Sequence, residues 1–471
     1  MSSTNPLSRN PKSRLYKPSM SKKKKVSLPK WVGVGVLLFG IASASAAAGA
    51  FLAVSLGSTP LQQSNLSAAE AAVFTQDEPI ATANSLQLPQ LTRPVNVLLL
   101  GVKVTSSDLH DYDAIYEDGY DALVNSFEGL SDTMLMLRFD PRNERVSVMS
   151  IPRDTRTNVD GVVTKINEAN RDGGPALSAQ AVSELMGGVA IDRYMRINVQ
   201  GVEKLIDALG GVEVDVPQDM KYQDDSQHLY INLKEGKQRL DGDQAMQFLR
   251  FRYDDNGDIG RVQRQQMLMR SLTNQALNPA TIARLPKILS VIQSHVDTNL
   301  SVEELVALVG YGAQTRRSDV QMLMLPGNFS NYDDYDLSYW IPDYSEIDRM
   351  SEQYFGLRKR YSSFSDYSNY TDPSSLRVVI QDSTYDDLAV QSLINSLYDT
   401  GYYNVSVGRS LRNPIRDTRI VAQRGDVDSA REMQEFLNLG EVRVESTGNL
   451  DSDITIQLGE DWLNELDQAV Y

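Results

Sequence analysis

The 471-residue chain contains no cysteine and only three histidines, His110, His228 and His295. Without cysteine there is no thiol nucleophile, no cysteine-ligated metal and no structural disulfide. The histidines have no HxxxH spacing, which argues against a zinc hydrolase. Basic residues are scarce over most of the chain. Residues 1–30 hold nine of the 46 Lys and Arg (Arg9, Lys12, Arg14, Lys17, Lys22 to Lys25 and Lys30) and no acid. The remaining 37 face 62 Asp and Glu, a net charge of −25 beyond the tail. So acidic a surface excludes general nucleic-acid binding; any anion site must be local and built from particular arginines. Apolar residues are not lacking. A hydrophobic content of 41% with 11 Phe, 22 Tyr and 3 Trp predicts packed cores, and the length allows two or three domains.

Long apolar runs are rare, with one exception. Residues 31–56, WVGVGVLLFGIASASAAAGAFLAVSL, carry no charge and are long enough to cross a bilayer as one helix. The lysines just before them predict an N-terminus that stays inside and a bulk that is exported. The expected location is therefore the cytoplasmic membrane, single-pass, with the bulk extracytoplasmic and the lipid bilayer as a partner. A cleaved signal peptide is the alternative, since the Ala-Ser-Ala runs resemble cleavage sites; the length of the run favours an uncleaved anchor.

Composition then divides the chain. Residues 1–30 read as a basic tail, 31–56 as the anchor, 57–93 as a linker and 94–326 as the main domain. Residues 327–374 read as a Tyr-, Asp- and Ser-rich linker, and 375–465 as a small second domain. In the main domain helical and strand-like segments alternate, which predicts an α/β sheet packed by helices. The second domain shows a repeated β-α-β tendency and no constellation of arginines and carboxylates. It is expected to be a binding or spacing module, dispensable for chemistry.

Two places carry candidate chemistry. Thr133 to Phe139 and Arg145 to Ile151 read as strands joined by a turn at Asp140-Pro141. Pairing Phe139 with Val146 sets Asp132 beside Arg153, as a salt bridge or as part of a site. The other place is LRFRYDDNGDIGRVQRQQ, residues 249–266. Arg250 and Arg252 fall on one side of an extended segment, and Arg261, Arg264 and Gln265 share a face of the helix that follows. Such a fork suits phosphate oxygens, helped by the helix N-terminus. On its own the stretch reads first as a solvated, salt-bridged face with its aspartates as partners.

With these pieces in order, the chain resembles the LytR–CpsA–Psr family of bacterial cell-envelope proteins. The motifs are Leu-Leu-Gly ending at Gly101, Ser131-Asp132-Thr133-Met134, Ser150-Ile151-Pro152-Arg153-Asp154-Thr155, Lys165-Ile166-Asn167, Gly173-Gly174 and Gly210-Gly211-Val212. Arg250-x-Arg252 follows, then Asp258-x-Gly260-Arg261 and Arg264-Gln265-Gln266. The end of the chain is similar to the LytR-type C-terminal domain. The resemblance implies a phosphotransferase that moves a glycopolymer from a polyprenyl-pyrophosphate carrier to a peptidoglycan hydroxyl, forming a phosphodiester. It implies pyrophosphate held by Arg153, Arg156, Arg250, Arg252 and Arg261 with Gln265 beside them, catalytic roles for Arg252, Asp258 and Arg261, and Mg2+ on Asp132. Two other functions fit the same residues: a hydrolase passing the phosphate to water, and a non-catalytic scaffold binding envelope lipid or glycan.

The sequence departs from the family at the metal. Where the pattern has Gly-x-Asp, this chain has Gly101-Val102-Lys103, and Leu130 stands where an arginine usually precedes Asp132. Two outcomes are open: Lys103 supplies the charge of Mg2+ against the pyrophosphate, paired with Asp132, or an acid such as Asp108 replaces the missing ligand. The first is the expectation here.

Overall fold

A computed structural model of the chain describes residues 61–75, 79–82, 89–103, 127–224, 229–251, 257–276, 278, 280–330, 335, 337–357, 372–411, 413–446, 449 and 452–469. The basic tail and the expected span at 31–56 lie outside the described residues. Among the described residues no helix is long and apolar enough to cross a membrane.

The hairpin read from the sequence forms the middle of a six-stranded sheet. β1 (Val95–Lys103), β2 (Leu130–Asp140) and β3 (Arg145–Ile151) run antiparallel side by side, and Phe139 pairs with Val146. A short hairpin follows, β4 (Arg156–Val159) and β5 (Val162–Lys165), then α1 (Glu168–Leu185). β6 (Arg193–Asn198) lies parallel to β1 and leads into α2 (Val199–Leu209). Four strands then form two ladders, β7 (Val212–Val216) with β10 (Gly236–Leu240), and β8 (Met220–Asp224) with β9 (Leu229–Leu233). The acidic stretch after Pro217 is thus mostly strand β8. α3 (Gly242–Arg250), α4 (Gly257–Ala276) and α5 (Ala280–His295) come next. β11 (Val296–Thr298), α6 (Val302–Gln314) and β12 (Val320–Met324) complete the sheet, in the order β11-β6-β1-β2-β3-β12.

Side-chain alternation along β2 divides two cores. Met134 and Met136 face a cluster with Ala176, Ala179 and Val182 of α1. Leu135 and Leu137 face the opposite side, where Met269 of α4 and Tyr311 of α6 pack. α1 begins at Glu168 and contains Arg171 and Asp172. It kinks where Gly174 takes φ +62° and ψ −152°, a conformation that only glycine adopts at little cost. Pro175 opens the second half, where its missing N–H breaks no helical bond.

Both expected linkers are partly core. In residues 57–93, buried Phe74 packs on Tyr194 with ring centres 5.1 Å apart. Ser64 donates to Asp297 from its backbone N–H at 2.6 Å and its hydroxyl at 3.0 Å. Asp297, almost fully buried, also accepts from Arg196 Nε at 2.6 Å, and the Arg196 guanidinium donates to Ser64 Oγ and to Asn170 Oδ1. In residues 327–374, β13 (Gly327–Phe329) pairs with β14 (Trp340–Pro342), and α7 (Tyr344–Phe355) buries Ile347, Met350, Tyr354 and Phe355 in the main core. Dense Tyr, Asp and Ser masked a helix whose few apolar positions fall on one face.

The second domain repeats β-α-β as read. β15 (Val378–Asp382), α8 (Asp387–Asp399) and β16 (Val405–Val407) form one parallel unit. β17 (Arg419–Ala422), α9 (Val427–Leu437) and β18 (Glu441–Val444) form another. β19 (Ile454–Leu458) lies between them, and α10 (Glu460–Ala469) follows it. Its core gathers Ile380, Leu393, Ile420, Met433 and Ile456.

Candidate active site

The site forms at one end of the main sheet, where β1 and β3 end and β2 begins. The β1–β2 register slips there: Gly101 pairs with Thr133, but Val102 pairs with Ser131 and Lys103 with Leu130. Asp132 is therefore the extra residue of β2 at this slip, a bulge that re-aims its side chain. From the other side, Arg153 Nη1 donates to Asp132 Oδ1 at 2.6 Å, and its Nε donates to Asp154 Oδ2 at 3.2 Å. Lys165 Nζ donates to the other oxygen of Asp154 at 2.9 Å. The sequence-derived meeting of Asp132 and Arg153 is thus realised.

Backbone bonds stitch three separate motifs into this corner. A turn closes from Thr155 N–H to the Pro152 carbonyl. Ile166 and Asn167 donate to the carbonyls of Thr155 and Arg153, while Ser131 donates to the carbonyl of Asn167. Arg156 pairs with Lys165 across the β4–β5 hairpin, which sets two cations side by side. The Arg156 guanidinium lies 5.5 Å from the ring centre of Tyr335, and Lys165 Nζ lies 5.5 Å from that of Tyr339. These tyrosines stand in the segment read as a linker; their density in the sequence was the available signal.

Arg153 is held by opposing effects. Burial disfavours its charge, but Asp132 and Asp154 outweigh burial and raise its pKa above the ordinary value. Its side chain remains 28% exposed, so it can still meet a ligand. Lys103 is exposed at the same sheet end.

The arginine stretch is partly corrected. Arg250 is the last residue of α3, helical rather than extended, and half-buried. α4 begins at Gly257, so Arg261 is in its second turn rather than at its start, and Asp258 is in the first turn. Arg264 is buried and donates to the carbonyl of Phe251, the C-cap of α3, so it braces the fold instead of joining a fork. Gln265 is half-buried on α4. Arg252 and the side chains of Asp258 and Arg261 lie outside the described residues.

Among the described residues no group of three or more His, Asp or Glu side chains could hold a metal ion. Asp132 is engaged by Arg153, and Lys103 occupies the position where the family pattern has a second acid. Asp108, the alternative ligand, lies outside the described residues.

The LytR_cpsA_psr family matches residues 59–355. The chain belongs to this family. Residues 375–462 match a second family, described as LytR cell envelope-related transcriptional attenuator. Among relatives, the polyisoprenyl-teichoic acid–peptidoglycan teichoic acid transferase TagU of Oceanobacillus iheyensis is 32% identical over 270 residues, covering 56% of this chain and 75% of the relative. The transferase TagV of Bacillus subtilis is 29% identical over 231 residues, covering 47% of this chain and 58% of the relative. The crystal structure of Bacillus subtilis TagV aligns at 25% identity with a TM-score of 0.46, covering 57% of this chain and 99% of that one. The LytR_cpsA_psr match begins at residue 59 and ends at 355, so it takes in most of both segments that composition alone had set aside as linkers.

Proposed function

We propose that this protein transfers a glycopolymer from a polyprenyl-pyrophosphate carrier to a peptidoglycan hydroxyl. The relatives named for that reaction support the reading. The observation that carries it is the corner where Arg153, Arg156 and Lys165 converge beyond the strand ends, the place where open α/β sheets receive ligands.

Phosphoryl transfer needs positioning and neutralisation of charge on phosphate oxygens more than covalent help from the protein. Arg153 offers its guanidinium, pre-oriented by Asp132 and Asp154. Arg156 and Lys165 supply further positive charge, and Arg250, Arg252, Arg261 and Gln265 complete the anion site. The acceptor oxygen attacks the phosphorus that bears the glycan. The P–O–P bridge breaks, polyprenyl phosphate leaves with the bridging oxygen, and the hydroxyl proton passes to a site carboxylate such as Asp258 or to water. Lys103 stands where a cation would neutralise the departing phosphate. The reading places the chain on the membrane through residues 31–56, with the site outside the cytoplasm.

The test incubates the purified protein with a short-chain lipid-pyrophosphate sugar and a wall oligosaccharide. Mass spectrometry should find sugar phosphate joined to the oligosaccharide. Free sugar phosphate in place of that product would make the protein a hydrolase; unchanged donor would leave only a binding role.

A further inference from the structure

The second domain is seated on the main domain through a buried carboxylate. Glu445 follows β18, and its side chain is 2% exposed. One oxygen accepts from Arg317 Nη2, and the other lies 3.5 Å from Arg270 Nη2. Arg270 belongs to α4, the helix that carries Asp258, Arg261 and Gln265. It stands nine residues beyond Arg261, about 13 Å along the axis.

Backbone bonds fix this carboxylate in place. Ser446 N–H donates to the Met322 carbonyl at 2.7 Å, and Met324 N–H donates to Ser446 Oγ at 2.9 Å. Residues 445 and 446 therefore continue the main sheet past its edge strand β12. Val444 is buried in the main core. Tyr354 of α7 donates its hydroxyl to the Gly425 carbonyl at 2.7 Å. Gly425 has φ +80°, and a Cβ there would stand 3.1 Å from the Tyr354 ring. A domain fastened at so many points is no loose spacer.

A buried carboxylate between two arginines is costly to break, because removing it leaves two partly buried cations facing each other. Burial, offset by Glu445 and aggravated by Arg270, already lowers the pKa of Arg317. Next to Arg270 on α4, Met269 packs on the apolar cluster of Leu135, Val148 and Met322 in the sheet. The α4 helix is therefore gripped at two neighbouring residues, by the apolar contact of Met269 and by the Glu445 carboxylate at Arg270.

We propose that Glu445 is a positioning residue for transfer, with the second domain acting through Arg270 to hold α4 and its pyrophosphate-binding residues in register. This rests on the transferase reading, and it replaces the expectation that residues 375–465 are dispensable for chemistry.

The experiment uses the full chain and compares Glu445→Gln, Arg270→Gln and the double variant. Each single change should lower kcat about tenfold with KM for the lipid donor little changed, and the double should be no worse than the worse single. Hydrogen exchange supplies a readout independent of turnover: amides of 257–276 should exchange faster in Glu445→Gln, with β1 and β2 unaltered. If Glu445→Gln does not fold, Arg270→Gln carries the same two readouts. A kcat within twofold of the parent, or α4 exchange unchanged, would overturn the proposal. Should the parent itself show no transfer, the transferase reading fails and exchange alone decides whether the clamp exists.

Discussion

Asp132 is the bulged residue of β2 beside Gly101 and Val102 of β1, and Arg153 meets it at 2.6 Å. The bulge turns the aspartate so that it aims the guanidinium. Arg153→Lys keeps the charge but cannot bond Asp132 and Asp154 together and still present a planar edge to phosphate. Transfer should fall about tenfold or more. The pair is more than a quarter exposed, so stability should change by less than about 1 kcal/mol. Steady-state kinetics beside a thermal melt would separate the two, and a melt that drops as steeply as the rate would make the pair structural.

Arg261 and Arg264 are three apart on α4 and should behave oppositely. Arg261→Ala should keep the circular dichroism of the parent and lose about 1.5–3 kcal/mol of transition-state binding, as should Arg252→Ala. Arg264→Ala removes the guanidinium that satisfies the Phe251 carbonyl in a buried setting, and should cost about 2–4 kcal/mol of stability. Denaturant unfolding of both variants tests the division; full transfer by a folded Arg252, Arg261 double variant would remove the anion-site assignment.

Lys103 should make the reaction independent of divalent cations. Replacing a carboxylate by an ammonium changes local charge by about two units, which disfavours a metal at contact distance. The parent should keep its activity in excess EDTA, and Lys103→Asp should become magnesium-dependent. Loss of parent activity in EDTA with rescue by magnesium would bring back the metal.

Asp297 should be among the most sensitive positions in the fold. It accepts from Arg196, Ser64 and Tyr194 while almost wholly buried. Asp297→Asn strands the Arg196 charge and should cost about 3–5 kcal/mol, read as a lower urea midpoint at unchanged slope. A midpoint close to the parent's would mean that water relieves the arginine.

Strands with clean alternation were legible in the sequence. Thr133 to Phe139 and Arg145–Ile151 fall where the pattern puts them, and the 139–146 register carried through to the Asp132–Arg153 contact. Alternation is a local property, and so it survives translation into structure. The bulge at Gly101 was not legible, because it is a mismatch between two strands rather than a feature of either. α7 was missed because Tyr and Ser on its outer face diluted the four residues that bury it. Arg264 was misplaced because helical spacing groups residues by angle and says nothing of which side faces a neighbouring carbonyl.

Both edges of the main sheet are finished by residues from outside the stretch 94–326. Gln62 bridges β11 at Asp297, and Glu445 bridges β12 at Met322. The two caps are almost four hundred residues apart, so neither edge is sealed by chain that is made near it in time. Until the last domain emerges, β12 offers free N–H and C=O groups to any passing strand. A fragment cut to the central domain would carry two sticky borders and would associate through them. Carrying the second domain on the same chain means that the cover for β12 arrives with every molecule, at a local concentration no separate partner could match.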